Sequence, residues 1–199
     1  MMILLLACDG TFVPDPIDPR LPKYSESGNE TAGAMVNGKV WGSTVTRFLW
    51  IESFEPIVVA DPLRDSLFIE FIGYIEEEQT TIRFHLSEQG ITKFDDLENL
   101  KGQKITLDGQ DNTALIGTRY YSRNATPRGV GQIFFRFTDL DSTRLILSGT
   151  FGFTTTNASG STTEVSHGRF DYRINKDRQF YLDTSYVNTP DWNPVRIDI

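Results

Sequence analysis

Over most of the chain, apolar and polar residues alternate with a period of two. In TTIRFHL, Ile82, Phe84 and Leu86 share one side, and Thr81, Arg83 and His85 the other. In GQIFFRF, Ile133, Phe135 and Phe137 point one way and Arg136 the other. RLILSGTFGFTTT sends Leu145, Leu147, Phe151 and Phe153 to one face and Ser148, Thr150 and Thr154 to the opposite one. GRFDYRI sets Phe170, Tyr172 and Ile174 against Arg169, Asp171 and Arg173. Successive side chains of a strand alternate between faces. The pattern therefore predicts antiparallel strands with one face on a core and the other in water.

The breaks between these runs agree. Asn37-Gly38 in VNGKVW is a type I′ hairpin signal. LFIEFIGYIEEEQTTIRFHL reads as strand, acidic turn, strand, and TDLDST and TNASGST read as turns between the late strands. Only ITKFDDLENLKG invites a helix; it is short, and Gly102 would stop it. TSYVNTPDWNPVRIDI holds Pro190 and Pro194 and reads as an irregular tail or edge strand pinned by Trp192. The predicted fold is all-β: an antiparallel β-sandwich, or alternatively a closed β-barrel, with at most one short helix. A chain of 199 residues suffices for one such domain.

The N-terminus breaks the pattern. Ile3-Leu4-Leu5-Leu6-Ala7 is too short to span a bilayer, which takes roughly 20 apolar residues, but it suits the end of a signal-peptide core. No Lys or Arg precedes it, so the natural start is expected upstream. Leu5-Leu6-Ala7-Cys8 resembles a bacterial lipobox, in which the Cys8 thiol receives diacylglycerol and the chain is cut before it. Residues 9–33 (DGTFVPDPIDPRLPKYSESGNETAG) are rich in Pro, Asp, Ser and Gly and carry no periodicity. They read as a flexible tether with a reach of about 25–30 Å. The expected division is a truncated lipoprotein signal at 1–7, a tether at 8–31 and a single β-domain at 32–199.

Composition narrows the function. Hydrophobic residues at 39%, with 14 Phe, support a packed interior rather than a disordered chain. The formal net charge of −8 disfavours nucleic acid, and no basic patch is present to hold anionic lipid. A single cysteine forms no internal disulfide.

The lipobox at Cys8, AMVNGKVW, and LSGTFGFTTTNASGSTTEVSHGRFDYRI together resemble small cell-envelope lipoproteins of Bacteroidota that carry a domain of unknown function. The matching residues are Val36, Asn37, Gly38 and Trp41; Ser148, Gly149, Thr150, Phe151 and Phe153; and Gly168, Arg169, Phe170 and Asp171. The resemblance runs from about Thr31 to Ile174 and is weak in the middle. It implies a lipid-anchored β-domain, on the periplasmic or cell-surface side of the outer membrane, and no particular activity. It also implies O-glycosylation at Asp-Ser-Leu and Asp-Ser-Thr, that is, at Ser66 and Ser142.

Catalytic chemistry has little to stand on. His85 reads as an exposed histidine, and His167 as a residue at a strand start or bulge. A Ser166/His167/Asp171 triad is opposed by strand geometry, which points sequence neighbours to opposite faces, and by the lack of a Gly-x-Ser-x-Gly elbow. Two scattered histidines do not make a zinc site. Glu76-Glu77-Glu78, Asp95-Asp96 with Glu98, and Asp108 with Asp111 are acid-rich stretches. Paired acids cleave glycosides and acidic loops hold calcium, but these acids read as solvated turns, and no Asp-x-Asp-x-Asp-Gly loop occurs. No phosphate loop is present, and no cofactor is expected.

Aromatic residues make the better binding hypothesis. Trp50, Tyr120, Tyr121, Phe134 and Trp192 do not all fit the inward faces. Trp50, Trp192, Tyr120 and Tyr121 are the candidate border of a ligand site for a glycan or an envelope protein, the alternative being that they cover the ends of the sandwich. The expected function is a non-catalytic binding or assembly module held at the membrane through Cys8. The alternative is a carbohydrate-active hydrolase using surface carboxylates.

Overall fold

The computed structural model describes residues 18–47, 50–117 and 128–184. Among these residues the chain is mostly β, as the alternation predicts. The strands are β1 (Thr31–Val36), β2 (Lys39–Gly42), β3 (Thr44–Arg47), β4 (Trp50–Ser53), β5 (Ile57–Asp61), β6 (Ser66–Ile75) and β7 (Glu78–Ser87). They continue with β8 (Lys104–Asp108), β9 (Thr113–Gly117), β10 (Val130–Asp141), β11 (Arg144–Thr156), β12 (Thr162–Asn175) and β13 (Phe180–Leu182). A 3-10 helix, Phe94–Leu100, lies between β7 and β8.

One large sheet runs β13-β5-β6-β2-β1-β12-β11-β10-β8, with β7 also on β6 and β9 on β7. β3 and β4 form a separate pair. The pairings are antiparallel except β13 with β5. β6 is the branch point: Ser66–Glu70 pairs with β5, Tyr74 and Ile75 pair with β2, and its full length pairs with β7. A single bridge, Ala114 to Gly129, links β9 to the residue before β10. The result is an open, curled sheet, half a barrel, between the two architectures anticipated.

Curling brings distant strands face to face. The ring of Phe71 on β6 lies 5.0 Å from Phe170 and 5.6 Å from Tyr172, both on β12. Phe84 on β7 meets Phe151 on β11 at 5.2 Å. Burying each such ring contributes roughly 1.5–3 kcal/mol. Trp41 is fully buried, and its Nε1–H donates to the Thr80 carbonyl at 2.9 Å.

The local signals hold. Asn37 (φ 48°) and Gly38 (φ 79°) both occupy the left-handed region, as a type I′ turn requires, and β1 and β2 pair in register across them. The helical stretch is a 3-10 helix that buries Phe94, Leu97 and Leu100. Asp96 fixes its start by accepting from the Thr92 and Lys93 N–H groups at 2.9 and 3.1 Å. Gly102 (φ 72°) follows its end and donates to the Phe135 carbonyl.

The SGTF and GRFD motifs acquire a packing reason. Gly149 lies directly opposite Phe170, and Phe151 directly opposite Gly168. A Cβ at Gly149 would come within 2.7 Å of the Phe170 ring, and one at Gly168 within 2.3 Å of the Phe151 ring. Each phenylalanine lies over the glycine of the neighbouring strand, the pairing known to stabilise glycines in sheets.

Some assignments from the sequence change. Arg169, Asp171, Ser148 and Thr81, expected on water-facing sides, are buried, at 4%, 2%, 1% and 2% exposed. Over the first three, the cover is the segment read as tether: residues 22–30 lie on the outer face of β12, and Leu21 is buried beside Gly33 of the adjacent β1. Alternation along a strand does not reveal a cover that arrives from elsewhere in the chain. His85 is half-buried rather than exposed, with its ring stacked on Phe68 at 4.5 Å.

Candidate functional site

The outer face of β12 serves two purposes along its length. Its C-terminal part holds the strap formed by residues 22–30. The Asp171 carboxylate accepts a hydrogen bond from the Ser25 hydroxyl and from the backbone N–H groups of Ser27 (3.2 Å), Gly28 (2.7 Å) and Asn29 (3.1 Å). Gly28 sits at φ 69° against the Arg173 side chain, where a Cβ would lie 2.4 Å from Cγ. Glu30 accepts the Arg173 N–H at 3.2 Å, and burial raises its carboxyl pKa above the ordinary value. The Tyr24 hydroxyl donates to Glu26 at 2.9 Å; burial and then that neighbouring acid push its pKa up.

The N-terminal part of β12 lines an open groove of about 780 Å³. Its construction follows from register. Lys104, Phe134, Thr150 and Arg169 are consecutive cross-strand neighbours on β8, β10, β11 and β12. Strands lie about 4.8 Å apart, so this row spans roughly 14 Å. The next row places Gln132 beside Gly152. On β12, Gly152 faces two residues, Ser166 and His167, because Phe151 pairs with Gly168 and Phe153 with Val165. That extra residue is a β-bulge, and His167 takes φ 52° within it. The third row is Asp108, Val130, Thr154 and Glu164. Gly152 brings no side chain to the middle of this surface, which leaves the groove its depth. A Cβ there would meet only the Val165 carbonyl, at 3.4 Å.

Arg169 stands where strap and groove meet. Its Nη1–H donates to the Pro22 carbonyl and its Nε–H to the His167 carbonyl, both at 3.2 Å. Among the described residues no carboxylate pairs with it. Burial lowers the pKa of its guanidinium from the usual value.

The residues singled out from sequence fall elsewhere or lie outside the described structure. Cys8, Tyr120, Tyr121 and Trp192 are outside the described residues, as is the side chain of Trp50, whose backbone opens β4. Phe134 does face outward, half-buried in the groove, with the Arg136 guanidinium 5.0 Å above its ring. Ser142 occupies the exposed turn between β10 and β11. Ser66 is 7% exposed at the start of β6, its hydroxyl donating to the Arg64 carbonyl at 3.2 Å. A glycan fits the first of these positions without disturbing the sheet.

The acids are dispersed among separate turns. Asp108 accepts from the Gln110 and Asn112 N–H groups, and these bonds lower its pKa. Asp141 accepts hydrogen bonds from Arg144 and then Thr143, which depress its pKa strongly. Glu76, Glu77 and Glu78 border a shallow notch beside Lys39. Among the described residues, no three His, Cys, Asp or Glu side chains gather to hold a metal ion. Ser166 and His167 line the groove while Asp171 is taken up by the strap, so the three do not form a triad.

Sequence reasoning missed Gly152 and Arg169. The signal was a parity break: Val165 and Phe170 both face inward although five positions separate them, which an unbulged strand does not permit. No family model, curated protein or solved structure matches this chain.

Proposed function

We propose that this chain is a non-catalytic recognition module of a cell envelope, held at the membrane by a lipid on Cys8, with its ligand in the groove across β10, β11 and β12. The observation that carries the reading is the groove. Rigid paired strands present Gln132, Thr150, Thr154 and Ser166 beside the Phe134 ring, around a floor left open by Gly152. Sheet positions fix side chains more tightly than loops do, and hydrogen-bonding groups around an aromatic ring suit recognition.

The lipid draws support from Leu5-Leu6-Ala7-Cys8 and from the resemblance to envelope lipoproteins. Two measurements test the proposal. A labelled Gly152→Val protein should lose the signals that wild type gives on a glycan array; equal signals from both remove the groove from the reading. Cys8→Ser in the full-length gene should move the protein from membrane pellet to soluble fraction. Continued pelleting, with no palmitate taken up by wild type, would exclude the lipid.

A further inference from the structure

We infer that the groove binds a glycan carrying one carboxylate, a uronic acid, and that Arg169 holds that carboxylate. The inference rests on the groove being the ligand site.

Arg169 is 4% exposed, and two of its guanidinium nitrogens are bound to backbone carbonyls, so the side chain is locked in place. The remaining Nη2 donates to no described residue and is not sealed from solvent. Arg169 is also among the residues that line the groove. A buried guanidinium without a counter-ion is costly, and an anion in the groove removes that cost. A guanidinium edge suits a carboxylate oxygen, accepted as a charge-assisted hydrogen bond.

The charge of the groove sets the charge of the ligand. Lys104 and Arg169 stand at the two ends of the first row, and His167 is exposed beside it. Glu164 stands in the third row. At about 3.3 Å per residue, the first and third rows are roughly 13 Å apart. A polyanion would meet Glu164 with like charge, whereas a ligand charged at one end and neutral at the other matches both. The neutral portion faces Gln132, Thr150, Thr154 and Ser166, which are hydroxyl and amide groups. β10, β11 and β12 are paired on both sides along the groove, so an extended peptide lying across them has no free backbone edge to join; the free edge is the outer side of β8, at the groove's end. Side-chain hydroxyls and amides beside a ring are what remain, and those recognise sugar hydroxyls and C–H faces.

Titration followed by amide NMR tests this with aldotriouronic acid, one glucuronic acid on two xylose units, against neutral xylotriose. The acidic trisaccharide should bind wild type at least tenfold tighter and shift the resonances of Gly152, His167 and Arg169. Arg169→Lys keeps the charge but loses the planar fork, and should erase most of that preference. Gly152→Val, whose Cβ meets no clash, should abolish binding of both sugars while the protein stays folded. If wild type binds both sugars equally and Gly152→Val abolishes both, the groove stands and the uronic acid is overturned. Absence of any binding by the acidic sugar likewise overturns the uronic acid. Binding that survives Gly152→Val overturns the groove as well.

Discussion

Replacing Asp171 with alanine should release the strap and leave the sheet intact. The carboxylate is 2% exposed and receives the Ser25 hydroxyl and three backbone N–H groups from residues 27–29. Hydrogen bonds to a charged group are worth about 1.5–3 kcal/mol each, but bonds in one network do not add. Counting only the two shortest backbone donors at the low end gives about 3 kcal/mol, a shift of about 100-fold toward the detached strap. The backbone of Asp171 still pairs with Thr31 and Ser148, and its neighbours Phe170 and Tyr172 keep their places in the core. The effect is therefore local.

Hydrogen exchange reads it directly. The Gly28 and Asn29 amides should exchange about 100-fold faster in Asp171→Ala, and trypsin should cut after Arg20 and Lys23 at a rate that wild type does not show. Asp171→Asn keeps one acceptor oxygen and should fall between the two. Thermal unfolding of the sheet serves as the control for global damage. If Gly28 and Asn29 exchange at the same rate in wild type and Asp171→Ala, the carboxylate does not hold the strap and the reasoning is refuted.

Gly168→Ala should cost about 1–3 kcal/mol, because its Cβ would sit 2.3 Å from the Phe151 ring. Denaturant melts of Gly168→Ala in a Phe151→Leu background should show less than the sum of the two single losses, and additivity would contradict the ring-over-glycine account. Glu30 has a folded pKa raised above its ordinary 4.5, so its contribution favours folding below that value and is lost as pH rises through the folded pKa. Glu30→Gln should accordingly raise the melting temperature at neutral pH, by about 1–2 °C, and match wild type in acid; a gain that persists unchanged in acid would refute the assignment.

Most of the fold was legible because it depends on local rules. Ile82, Phe84 and Leu86, or Ile133, Phe135 and Phe137, are set inward by alternation alone, and Asn37-Gly38 fixes its own turn. What could not be read depends on pieces of chain that meet only in three dimensions. Nothing near Arg169 or Asp171 in sequence announces that residues 22–30 will cover them, and SESGN carries no apolar periodicity because it docks through backbone N–H groups. The curl that makes half a barrel is likewise a property of the whole sheet, set by how β6 divides its pairing among β5, β2 and β7. The groove lay between these cases. Gly152 among outward threonines and the parity break at Ser166-His167 were both visible, but only register places them side by side.

The docked strap also sets how far the sheet can stand from a membrane, if Cys8 bears the lipid. With residues 21–30 held against β1 and β12, and Asp18 tied to Leu21 by a turn hydrogen bond, only the ten links from Cys8 to Asp18 separate lipid from domain. Covalent geometry limits them to about 36 Å. A compact domain of this length has a radius of gyration near 16 Å, hence a diameter of about 40 Å. The domain therefore stays within about one diameter of the bilayer. Releasing the strap lengthens the connection to the twenty-two links from Cys8 to Glu30, a limit of about 80 Å. In lipidated protein on vesicles, energy transfer from a dye at Ser159→Cys, in the exposed turn after β11, to an acceptor in the bilayer reports this height. Wild type should give a narrow distribution near the surface, and Asp171→Ala a broader one reaching further out. Identical distributions, in samples whose Gly28 amide exchange differs 100-fold, would show that the strap does not control the standoff.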